Sequence, residues 1–139
     1  MGLFDAIDIS GSGLSAERLR MDVTAENLAN ANTTRAPGGG PYQRKSVVLE
    51  QQGGGGFGAA LSQARGVQVG GIVEDAAPPR RMHDPGHPDA DADGYVAMPN
   101  VNPVTEMVDL ITASRAYEAN VTAMQTAKTM FSKTLEILR

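Results

Sequence analysis

The sequence predicts a mainly α protein: long N- and C-terminal helices paired as a coiled-coil-like domain, with a small irregular β-containing insert between them. Three observations lead there. Apolar residues recur at helical spacing over both ends of the chain. The middle is broken up by glycine and proline. Aromatic residues make up only 4% of a sequence with 16 Gly and no Trp, which suits helices joined by glycine-rich connections better than a large β-sandwich. The 139 residues divide into an N-terminal helix (1–34), a β/extended insert with a Gly-rich loop (35–100) and a C-terminal helix (101–139).

In the first segment Ile7, Leu14, Met21 and Leu28 fall seven apart, with Phe4 and Ala25 beside that line. Ala16, Leu19 and Val23 form a second stripe on an adjacent flank, and Glu17, Arg18, Arg20, Asp22 and Glu26 fill most of the remainder. Gly11 and Gly13 each weaken a helix by about 1 kcal/mol relative to Ala. They mark either a break or late start near Ser10 to Ser12, or a close helix–helix contact. The helix is expected to stop by residue 33, where Asn30-Ala31-Asn32-Thr33-Thr34 gives way to Pro37-Gly38-Gly39-Gly40-Pro41.

The insert has a different texture. Tyr42 to Glu50 reads as a strand, a Gly53 to Gly56 tract as a flexible connection, and Gly66 to Asp75 as a strand with a bulge or bend at Gly70-Gly71. Pro78-Pro79, Pro85 and Pro88 impose extended, non-helical backbone. Two or three short strands cannot build a core alone, so the insert leans on the helices or on a neighbour.

The third segment carries the strongest helix signal. Asn102 suits the N-cap, Pro103 the first helical position, and Glu106 the positive first turn. Leu110, Ser114, Tyr117, Val121, Met124, Lys128, Phe131, Leu135 and Leu138 then alternate by four and three, polar only at Ser114 and Lys128. Met107, Ile111, Ala127, Met130 and Ile137 widen that seam. Two paired helices bury one face of each, so the surplus at Ile111, Met130 and Ile137 marks either a contact between subunits or a face covered by the insert. Head-to-tail use of such a surface builds a helical filament.

Several function classes lack residues to stand on. A net charge of −4, without a basic patch, offers nucleic acid little to hold. There is no Cys, which removes disulfides and thiolate chemistry. Asp89-Ala90-Asp91-Ala92-Asp93-Gly94 copies the first half of a calcium loop, but the twelfth position is Asn100 where a bidentate Glu belongs. His83 and His87 have helical zinc spacing, yet Pro85 and Gly86 between them forbid the helix, which leaves them as loop ligands with Asp84 or Asp89 or as turn residues that hydrogen-bond locally. No framed nucleophile or phosphate loop occurs, so neither an enzyme, a cofactor nor a small-molecule substrate is expected. The N-terminus, Met1 to Asp8, lacks the basic and unbroken apolar regions of a cleaved signal, and no window approaches a membrane span.

The stretch from Ser12 to Thr34, centred on Asn27-Leu28-Ala29-Asn30, resembles the N-terminal signature of bacterial flagellar rod and hook proteins. His83 to Ala90, Gly94 to Asn102, Glu106 to Ile111 and Ser114 to Val121 narrow the resemblance to the proximal-rod subunits of that family. Gly11 and Gly13 depart from it, being flexible for a torque-bearing helix. The resemblance implies an inner coiled-coil domain, copies stacked helically around an axial channel, and a rod that crosses the periplasm as a drive shaft. It implies export through the flagellar type III apparatus without a cleaved signal. Partners would be other copies, other rod proteins, and ring or export components at the base. Residue by residue, Leu14, Met21, Ala25 and Leu28 would face Leu110, Tyr117, Val121 and Met124, with Phe131 and Leu135 continuing that interface. Asn27 and Asn30 would end the first helix and bond backbone there. Arg115, beside Tyr117 and Glu118, would be either a polar contact between subunits or a solvated face. His83, Pro85, His87, Pro88, Tyr95, Pro99 and Asn100 would lie on an extended arm packed along the helices.

Overall fold

The computed structural model describes residues 3–52 and 66–137. The Gly53 to Gly56 tract and Leu138 lie outside the described residues, as does the side chain of Phe4. In chain order the elements are α1 (Leu3–Ala29), β1 (Lys45–Gln51), β2 (Val67–Glu74), β3 (Arg80–His83), β4 (Tyr95–Met98) and α2 (Pro103–Ile137). The helices run antiparallel and form the most extensive contact between elements, with the β1–β2 hairpin packed on α1.

Helix α1 passes through Gly11 and Gly13 without a break, and the reason is tertiary. A Cβ on Gly13 would lie 3.1 Å from the Asn120 amide nitrogen, and one on Gly11 3.8 Å from Met124 Cε. The glycines let α2 come close, and that packing offsets their poor helix propensity. Buried side chains along the seam are correspondingly small: Ala16, Val23, Ala113 and Ala127. Helix α1 ends at Ala29, earlier than the expected residue 33, in a run of turns. Asn30 Nδ2 donates to Glu26 O at 2.9 Å, a carbonyl that also accepts from Asn30 N at 3.0 Å. Gly39 and Gly40 then adopt φ of 80° and 86°, backbone that a side chain would strain.

Strands β1 and β2 pair antiparallel from Lys45↔Glu74 to Gln51↔Val67. The register shifts between Val48 and Leu49, leaving Gly70 unpaired, so a bulge falls at the paired glycines. A side chain at Gly70 would meet Glu50 Cδ at 2.6 Å.

After Pro79, β3 and β4 pair as a second antiparallel hairpin, from Arg80↔Met98 to His83↔Tyr95, a pairing the sequence did not reveal. Asp91 organises its turn, because its carboxylate accepts from Asp93 N (3.1 Å), Tyr95 N (2.8 Å) and Arg81 (2.7 Å). Gly94 closes the loop at φ 76° and donates to Asp91 O at 3.0 Å. Val96 and Met98 of β4 are buried, and Tyr95 and Ala97 alternate with them outward. Pro99 to Asn102 leads into α2, where Asn102 Oδ1 accepts from Val104 N at 3.0 Å and caps the first turn.

Candidate assembly interface

The chain closes around one buried polar cluster, where the end of α1, the entry to β1 and the first turn of α2 converge. Asn27 and Glu106 are each 1% exposed. Asn27 Nδ2 donates to Glu106 Oε2 (3.0 Å) and to Lys45 O (2.8 Å), while its Oδ1 accepts from Lys45 N (2.9 Å) and Tyr42 OH (2.9 Å). All four bonding positions of the amide are therefore used. Arg44 Nε donates to the other Glu106 oxygen at 2.6 Å, and Arg44 N to Asn100 Oδ1 at 3.0 Å. A buried carboxylate survives only with such partners, and this one has a guanidinium and an amide. Ala31, Tyr42 and Val101 form the apolar cluster beside it.

The same closure perturbs its rim. Burial pushes the Tyr42 phenol above its ordinary value, and the nearby Glu26 carboxylate adds to that. Lys45 is raised by its hydrogen bond to Glu26, at 2.7 Å on the exposed side of the cluster. A groove of about 350 Å³ opens beside it, lined by Arg20, Val23, Thr24, Arg44, Leu49 and Asp109 among others.

The residues singled out from the sequence distribute unevenly. Leu14, Met21, Leu28, Leu110, Tyr117, Val121 and Met124 are half-buried, whereas Ala25 and Arg115 are exposed. Phe131 and Leu135 lie in the last turns of α2, also exposed. Asn30 bonds backbone within its own helix end, but Asn27 bonds the backbone of Lys45, 18 residues on. On the second hairpin His83 meets the Tyr95 ring edge-on at 5.1 Å, and His87 Nδ1 accepts from Asp89 N at 3.1 Å. Pro85 and Pro88 are exposed, Asn100 half-buried and Pro99 fully buried. Thr34 and Arg35 both donate to Asp89, tying that hairpin to the end of α1. Among the described residues no group of His, Cys, Asp or Glu is placed to hold a metal ion. Sequence reasoning put Tyr42 and Arg44 in a strand that in fact starts at Lys45, gave them no part in a site, and did not foresee that Glu106 is buried.

Large apolar side chains remain exposed in several places, among them Met82 and Tyr95 on the second hairpin. On α2, Val104, Met107, Val108 and Ile111 make a stripe at helical spacing, and Met130, Leu135 and Ile137 crowd the far end. The β1–β2 hairpin shows Leu49, Val69 and Ile72 on one face, Val48 and Val73 on the other. Among the described residues nothing covers these surfaces.

The described residues thus combine a closed polar centre with exposed apolar surface. Comparison with known proteins supplies the family. Residues 7–36 match the family described as flagella basal body rod protein, and residues 92–137 match the flagellar basal body rod FlgEFG protein C-terminal family. The flagellar basal-body rod protein FlgC of Salmonella typhimurium is 45% identical over 138 residues, 99% of this chain and 98% of the relative. Those of Bacillus subtilis (45% over 149 residues) and Borreliella burgdorferi (43% over 151 residues) match with 99% or more of each chain covered. The chain belongs to the FlgC family of flagellar basal-body rod proteins, which are structural subunits and not enzymes.

Proposed function

We propose that the chain is a structural subunit of the proximal rod, which assembles helically with copies of itself and with other rod proteins into the drive shaft surrounding the export channel. The single observation that carries this reading is full-length similarity to rod proteins on a subunit whose long helix exposes apolar surface at both ends. In this reading the helices of 1–34 and 101–139 pair as a coiled-coil-like inner domain, and the insert 35–100 rides outside it. The interface comprises Leu14, Met21, Ala25, Leu28, Leu110, Tyr117, Val121, Met124, Phe131 and Leu135, with Arg115 as a polar contact. Ring and export components meet the rod at its base, the rod spans the periplasm, and the subunit leaves the cell through the flagellar export apparatus without a cleaved signal.

The test is a Val108→Asp, Ile137→Asp double variant, chosen because both side chains are exposed in the single subunit (57% and 85%) and their change leaves its fold intact. Cells should still export the variant, while isolated basal bodies stop short of a complete rod. Normal rods and swimming would sink the reading.

A further inference from the structure

One turn of α1 gives its partner helix no side chain to grip. Gly11 and Gly13 both face α2, at Met124 and Asn120, so on that side the turn offers backbone only. Ser12, between them, points away from α2 to the β1–β2 hairpin. Its hydroxyl donates to Ile9 O at 2.7 Å and accepts from the N–H of Val67, the first residue of β2, at 3.0 Å. Ile9 O is the carbonyl that Gly13 N bonds in a regular α-helix, so the tie reaches the hydrogen bond that spans the glycine turn. The hairpin comes in so close that Gly66 is buried, and a Cβ there would collide with Ser12 Oγ.

A second tie holds the other end of the hairpin. Asn27 bonds both the N–H and the carbonyl of Lys45, the first residue of β1. Ser12 and Asn27 lie about 22 Å apart along α1 at 1.5 Å per residue. Lys45 and Gln51, which pairs with Val67, lie about 20 Å apart at 3.3 Å per residue. The spans match, so the hairpin runs along the helix with both ends fixed to it. We infer that the β1–β2 hairpin is a splint for α1, fixed at Ser12 and Asn27, which holds the helix continuous through Gly11 and Gly13. Glycine lets α2 approach but leaves the turn weak, and the hairpin stiffens it from the opposite side. This gives the insert a mechanical role of its own, and it does not depend on the rod reading.

Amide hydrogen exchange in the purified full-length chain tests the splint, because Ser12→Ala carries two opposite expectations. It removes the tie to Val67 but improves helix propensity, so a helix held by α2 alone should exchange more slowly. A splinted helix should exchange faster. The amides of Gly11 to Leu14 should accelerate by about 5-fold after correction for intrinsic rates, as the loss of one hydrogen bond implies, while those of Met21 to Leu28 stay unchanged. Gly66→Ala pushes the hairpin off Ser12 and should reproduce that local pattern. In a Gly11→Ala background, whose Cβ fits at 3.8 Å from Met124 Cε, the strengthened turn no longer needs the splint. Ser12→Ala should then change exchange by about 2-fold or less, a coupling between the two sites. Unchanged or slower exchange in Ser12→Ala or Gly66→Ala would overturn the splint. So would acceleration spread evenly along α1, which marks a general loss of stability, or an equal effect of Ser12→Ala with and without Gly11→Ala.

Discussion

The two ends of α2 are the same helix under opposite conditions. At its start Glu106 is enclosed by Asn27 and Arg44, Val101 is buried just before it, and every bonding position of Asn27 is used. At its finish Met130, Leu135 and Ile137 lie 59%, 53% and 85% exposed. Helix α1 is shorter, 27 residues against 35, and Gly11 already lies beside Met124. At 1.5 Å per residue, α1 runs out near the last two turns of its partner. A rod subunit can thus separate two conditions along one helix: closure at one end, where buried polar groups demand a single geometry, and open apolar surface at the other. The stripe at Val104 to Ile111 qualifies the contrast, since it lies on the outer face of the closed end.

The largest expected effect tests the closed end. Glu106→Ala removes the carboxylate and strands Arg44 and Asn27, and should cost about 3–5 kcal/mol in urea unfolding. Gly13→Val should follow at about 1–3 kcal/mol, because its branches run into Asn120 in a seam built for close approach. Tyr42→Phe removes one hydrogen bond to Asn27, about 1 kcal/mol at neutral pH.

That variant also carries a pH signature. The Tyr42 phenol is raised in the folded chain, so its contribution is fully present below pH 10, its ordinary value, and is lost as pH rises through the higher folded value. Stability should therefore fall above about pH 10, and less steeply in Tyr42→Phe. The remaining slope comes from Lys45, which is raised in the same direction. An identical alkaline decline in both proteins would remove Tyr42 from the account.

At the open end, Leu135→Asp should change the stability of the single subunit by no more than about 0.5 kcal/mol, yet abolish polymer growth measured by sedimentation. A loss matching that of Glu106→Ala would erase the contrast between the ends. The smallest effect belongs to Arg81→Gln on the second hairpin. Its ion pair with Asp91 is open to solvent, so thermal melts should be essentially unchanged.

Both helices were legible because their signals are local. Asn102 and Pro103 start α2 where capping chemistry says they should, and the paired glycines mark the bulge in β2. The second hairpin was obscured by Pro85 and Pro88, whose backbone constraint hides a turn stabilised by Asp91 three residues further on. The seam was only partly read. Ala25 sits beside the seven-residue line yet is exposed, whereas Ala16 and Val23, on the flanking stripe, are buried. Spacing shows that a helix has an apolar side, but small residues on two neighbouring stripes leave open which one meets the partner.

By itself the sequence determined the helices, their caps, the glycine bulge and the absence of thiol chemistry, since each depends on residues a few positions apart. Only the tertiary structure decided that Asn27, Tyr42, Arg44 and Glu106 form one cluster. Asn27 and Glu106 are separated by 79 residues and Arg44 and Glu106 by 62. No local propensity encodes such pairings. They arise because burial leaves each polar group one way to be satisfied, and the antiparallel helices bring that way within reach.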